Sequence, residues 1–167
     1  MFAVANASNA LGSKDPVLVL LLPIASDTLA ATSVSIYVPA GYAIDLTLAR
    51  GTKIGTVIGV PSFEGVDLTV ADPAAFTADP CSPGAHAAVW TAVLTIGGTP
   101  KTVPVFVDPT TGDESAWGAY RITFCQTAIA LFELDALTAP VIPGLFTWRA
   151  FVSPPGAFGN PPDPDAV

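Results

Sequence analysis

The residues best suited to chemistry in this chain are carboxylates. Asp108, Asp113 and Glu114 fall within one short stretch, Asp108-Pro109-Thr110-Thr111-Gly112-Asp113-Glu114. Oxygen ligands at such close spacing suit Ca2+, so these three are the candidate metal ligands. The stretch lacks the spacing of an EF-hand loop, and acidic turns also arise from turn chemistry alone. The same acids allow a second use. Two carboxylates across a glycosidic bond suffice for its hydrolysis, and Asp113 and Glu114 with Asp72 or Asp79 are the available set. Other catalytic apparatus is absent from the sequence. His86 is the single histidine, so a triad or histidine-based metal centre would rest on it alone. No Gly-x-Ser-x-Gly elbow, phosphate loop or dinucleotide fingerprint occurs. His86, between Ala85 and Ala87, reads as a loop or strand-start residue, and no catalytic residue is assigned.

Aromatic side chains offer binding in place of catalysis. Tyr37 alternates away from its apolar neighbours, Tyr42 follows a turn, and Trp117 lies beside acidic residues. Aromatic rings near carboxylates suit carbohydrate or protein partners, because one part of the platform is apolar and the other wet. Cys81 and Cys125 form an even pair in a chain sparing in Lys, with Cys81 in a Pro/Gly-rich loop. Those features predict a disulfide and an oxidising compartment.

Composition narrows the function classes. Fourteen acids face six bases, for a net charge of −8, and Lys14, Arg50, Lys53, Lys101, Arg121 and Arg149 are scattered singly. A nucleic-acid surface needs clustered cations, so that class is excluded. Hydrophobic residues make up 51% and charged residues 12% of the chain, about half the usual charged share. A disordered body is thereby excluded. The longest apolar runs, such as Val17 to Leu22 with Pro23 and Ile24, fall well short of the ~20 residues a membrane span needs.

These residues must be positioned by strands. Apolar side chains recur with period two between Gly, Pro, Asp and Thr clusters, as half-buried strands require. Val34, Ile36 and Val38 share one face, Val66, Leu68 and Val70 another. Ala87–Ile96 and Thr99–Val107 flank Gly97-Gly98, which predicts a hairpin with a primed two-residue turn. Setting Ile96 opposite Thr99 puts Trp90 opposite Val105 and Ala92 opposite Val103, so the apolar faces agree. Pro104 then marks an edge or a bulge. Tyr120–Cys125, Gln126–Leu137 and Leu145–Val152 complete eight or nine strands, the second of them also compatible with a short helix. With no long amphipathic helix, the expected fold is all-β, an antiparallel two-sheet β-sandwich of seven to nine strands with Trp90, Phe124 and Trp148 in its core. Residues 1–152 form the single domain, and the Pro-rich run 153–167 reads as a tail or linker toward a further domain or anchor.

The order Cys81, Trp90, Cys125 resembles immunoglobulin domains, whose paired cysteines pack on a buried Trp. Alternation departs from that pattern, because Cys125 falls on the face opposite Ile122 and Phe124 and Thr123 stands where a Tyr is expected. The bridge therefore pins a loop to a strand end. Ile36-Tyr37-Val38-Pro39-Ala40-Gly41-Tyr42, Asp79-Pro80-Cys81-Ser82-Pro83-Gly84, Val105-Phe106-Val107-Asp108 and Thr147-Trp148-Arg149-Ala150 are similar to stretches of secreted actinobacterial proteins of unknown role. The resemblance implies an immunoglobulin-like fold and secretion. Together these readings lead to a non-catalytic secreted or cell-surface module for adhesion, scaffolding or ligand binding, with an extracellular carboxylate-dependent hydrolase as the alternative.

Overall fold

A computed structural model describes residues 33–59, 65–125 and 129–153, together with Gly12 and the strand at 17–19. The rest of the apolar run to Ile24, the stretch 126–128 and the Pro-rich tail from 154 lie outside the described residues. The described chain is all-β. In order the strands are β1 (Val17–Val19), β2 (Ser33–Val38), β3 (Ala43–Ile44), β4 (Lys53–Gly59), β5 (Gly65–Ala71), β6 (Ala88–Ile96), β7 (Thr99–Pro109), β8 (Tyr120–Phe124), β9 (Ile129–Leu134), β10 (Leu137–Thr138) and β11 (Arg149–Ser153). Two single-turn 3-10 helices, Pro73–Phe76 and Gly112–Ala116, interrupt them.

Hydrogen bonding runs through one antiparallel nine-stranded sheet in the order β1-β9-β4-β5-β6-β7-β8-β2-β11. β10 and β3 form a separate two-stranded pair. The β6–β7 hairpin has the register its apolar pattern demands, with Trp90 opposite Val105, Ala92 opposite Val103 and Ile96 opposite Thr99. Gly97 and Gly98 both take positive φ, 58° and 77°, as a type I′ turn requires. Pro104 pairs inward with Thr91, and the β7–β8 ladder begins only at Phe106. Its missing N–H thus falls where β7 is locally an edge.

One face of the sheet makes the main core. Val34, Ile36 and Val38 meet Leu68, Trp90, Leu94, Val105, Ile122 and Phe124 in a single cluster. No described helix covers that face; Tyr42, Ile44, Leu137 and Ala139, from the β3–β10 pair and the chain beside it, join the same cluster. Trp148 packs against the cluster but stays half-buried. Part of its expected strand is absent. β11 starts at Arg149 opposite Tyr37, and β2 ends one residue later at Val38, before Pro39, leaving Leu145–Thr147 no residue of β2 to pair with.

The opposite face is crossed by one register row: Ala71, Val89, Phe106, Thr123, Ser35 and Phe151. Loops cover it. Phe76, Cys81 and Cys125 pack with Val89 and Phe106, and Ser35 and Thr123 pair their buried hydroxyls at 3.2 Å. The Cys81–Cys125 disulfide is present and ties the 77–87 loop to the residue following β8. At Gly118 the chain leaving the second 3-10 turn crosses the end of β2, where a Cβ would stand 2.5 Å from the Val38 carbonyl oxygen. Only glycine fits there, and the next residue donates its N–H to that oxygen at 2.7 Å.

Candidate functional site

The densest polar constellation lies on the loop-covered face, one row beyond Phe106. Register sets Asp108 beside Arg121, Arg121 beside Tyr37 and Tyr37 beside Arg149. Strand alternation aims these side chains away from the main core. The second 3-10 turn brings Glu114 over them. Its Oε1 accepts from Arg121 at 2.8 Å and from the Tyr37 hydroxyl at 3.1 Å. Asp108 Oδ1 accepts the Ala87 N–H at 3.0 Å, and Oδ2 meets His86 Nδ1 at 2.9 Å. A guanidinium nitrogen of Arg121 stands 3.8 Å from the same Oδ2. Burial, reinforced by the Glu114 carboxylate and opposed by Arg121, pushes the Tyr37 phenol well above its ordinary ionisation range.

The candidate ligands behave differently from the aromatic platform expected of them. Tyr37 points away from Val34 and Ile36, as its alternation requires, yet it is fully buried. Trp117 and Phe151 close over it, edge to face, at 5.1 and 5.6 Å. Tyr42 is 5% exposed, packed between Phe146 and Trp148. Trp117 is half-buried. The expectation of exposed rings is therefore corrected: sheet alternation sets direction, but distant loops decide whether the outward side meets solvent.

The acidic stretch is likewise shared out among protein partners, with Arg121 between Asp108 and Glu114. Asp108 turns to His86 and Ala87, Glu114 to Tyr37 and Arg121, and Asp113 is exposed on the 3-10 turn. Among the described residues no group of three His, Cys, Asp or Glu side chains could hold a metal ion. Asp72 and Asp79 serve local turns, accepting the Ala74 and Cys81 N–H groups at 3.0 and 2.9 Å. That is the Asx chemistry of chain reversal. Ser82, His86 and Asp108 do come together, but His86 Nε2 meets the Ser82 backbone carbonyl at 2.8 Å, not its hydroxyl. A general base must reach the proton it removes, so this arrangement holds a loop and activates no nucleophile.

Sequence reading missed two open depressions flanking the 45–52 loop. One, of about 360 Å³, is lined by Leu46, Leu48, Val70 and Ala88 together with Arg50 and Asp72. The other, of about 370 Å³, is lined by Asp45, Lys53, Ile54, Asp135 and Thr138. Both are at the small end for ligand sites. Asp45 and Asp135 sit in unremarkable turn contexts, so no local signal marks them. Sequence reading also missed a concentration of exposed apolar side chains: Val141 is 74%, Ile142 71% and Leu145 97% exposed. Pro143 and Gly144 between them were the available signal, because the pair stops a strand from forming.

No family model, curated protein or solved structure matches this chain. Among the described residues, no helix is long and apolar enough to cross a membrane.

Proposed function

We propose that this chain is a non-catalytic β-sandwich module of immunoglobulin-like type, carried by a secreted or surface protein and serving adhesion, scaffolding or ligand binding. The observation that carries the reading is the exposed apolar segment Val141–Leu145. Three of the four large exposed hydrophobics among the described residues fall within Val141–Leu145, in a stretch from Ala136 to Trp148 without one charge. Apolar surface concentrated in this way marks contact surfaces more often than chance exposure does. The polar network supports the reading, since its hydrogen bonds hold loops to the sheet. The disulfide supports an oxidising compartment.

Among the described residues a hydrolase has a foothold in Asp45 and Asp135, which line the same depression. One experiment separates the two readings. The protein is applied to arrays of cell-surface glycans and extracellular proteins, beside a Val141→Ser, Ile142→Ser, Leu145→Ser variant, and both are assayed on chromogenic glycosides. Retention of the native chain, loss by the triple variant and no turnover support the module. Turnover abolished by Asp45→Asn or Asp135→Asn, without retention, supports the hydrolase and ends the module reading.

A further inference from the structure

We propose that His86 is a proton-dependent latch that holds the disulfide-bearing loop against the sheet. The observation is one of hydrogen-bond valence and is independent of the module reading. The imidazole side chain is 4% exposed, and both its nitrogens face acceptors. Nδ1 meets Asp108 Oδ2 at 2.9 Å, and Nε2 meets the Ser82 carbonyl at 2.8 Å. A carbonyl oxygen cannot donate, and neither can an ionised carboxylate. Asp108 also takes the Ala87 N–H on Oδ1 and has Arg121 beside Oδ2. A neutral imidazole carries one donor and one acceptor, so it would set a lone pair against one of its two partners. The doubly protonated ring satisfies both.

The groups around the ring come from several elements. β7 supplies Asp108 and the Phe106 ring, whose centroid is 4.5 Å from that of His86. β8 supplies Arg121, itself held by Glu114 of the second 3-10 turn. The loop supplies the Ser82 carbonyl and Asp79, which is occupied by the Cys81 N–H. The ring therefore joins two parts of the molecule. On one side is the loop that carries Cys81, and on the other is the strand that carries Phe106. Phe106 and Val89 are fully buried beneath that cover. Loss of one ring proton removes a charge-assisted bond and leaves two acceptors opposed, which favours lifting of the loop. The latch is closed on the acidic side and loosens as pH rises.

The test uses the intact, oxidised chain. Ring nitrogen NMR at about pH 6 is expected to show hydrogen on both nitrogens of His86. Amide hydrogen exchange at Ala87 and Cys81 is then compared with Val89 between about pH 6 and pH 9, after correction for intrinsic rates. Protection of the two loop amides is expected to fall at least roughly tenfold relative to Val89, the effect of losing one charge-assisted bond. Asp108→Asn supplies the discriminating variant, because an Asn amide donates to Nδ1 and the neutral ring becomes the satisfied form. In that variant the fall with pH should vanish or reverse. A single ring hydrogen at about pH 6 in the native chain overturns the proposal even if the variant does not fold. So does an Asp108→Asn protein whose loop responds to pH as the native one does.

Discussion

The two faces of the sheet are held by different physics. The inner face is a continuous apolar surface, with Val34, Ile36, Leu68, Trp90, Val105, Ile122 and Phe124 in one cluster. Any strand in register contributes to it, and non-directional burial does the rest. The outer face is held by specific partners: a disulfide, two buried hydroxyls facing each other, and one glutamate shared by a tyrosine and an arginine. Removing a residue inside opens a void. Removing one outside frees a loop.

The contrast breaks most readily at Trp90. Truncating it to Ala should cost about 3–5 kcal/mol and lower the melting temperature by roughly 10 °C. If calorimetry shows a tolerated change, the inner face is not the dominant store of stability. Removing the bridge with Cys81→Ala and Cys125→Ala should cost about 2–4 kcal/mol, since it closes a 44-residue separation. Hydrogen exchange should then rise in the 77–87 loop while amides of β6 and β7 stay protected. Equal loss on both faces would erase the distinction.

A smaller effect tests the polar network alone. Tyr37→Phe keeps the buried ring but removes its bond to Glu114, which should cost about 1–2 kcal/mol in urea unfolding. The native phenol should also resist alkaline titration, its ionisation being raised by burial and by Glu114. An unfolded chain loses that proton above about pH 10 while the folded one retains it. Its contribution is therefore fully present below that pH and declines as pH rises further, which ultraviolet difference titration against Tyr37→Phe would show. The smallest change is expected at Lys53, whose bridge to Asp67 joins side chains 51% and 63% exposed. Lys53→Ala should shift stability by no more than about 0.5 kcal/mol. A larger shift would mean that exposed pairs matter as much as either face.

What the sequence disclosed divides by separation along the chain and by length of element. The hairpin register, the apolar faces of β2, β5 and β8 and the bridge joining a loop to a strand end were all legible, because each follows from alternation or spacing within a short segment. The β3–β10 pair was not, since two-residue strands carry no period to read. The covered state of Tyr37 was not legible either. Its partner Glu114 lies 77 residues away, and nothing near Tyr37 encodes the meeting. The acidic stretch shows the same limit: nothing local signals that Asp108 meets His86 and Glu114 meets Tyr37, with Arg121 between the two carboxylates.

The strand order also carries a consequence for synthesis. β4 through β8 pair with their sequence neighbours, so each finds its partner soon after it is made. β2 does not, because its first partner is β8, and Ser35 meets Thr123 only 88 residues later. At about 5–20 residues per second, that interval lasts roughly 4–18 s on the ribosome. Throughout it the uncharged segment Ser33–Val38 waits with both edges open, rich in β-branched residues and lacking proline. Such segments are the ones that pair with copies of themselves. The nascent chain is thus most vulnerable to aggregation at a strand that ends up as one of the best-buried parts of the finished protein.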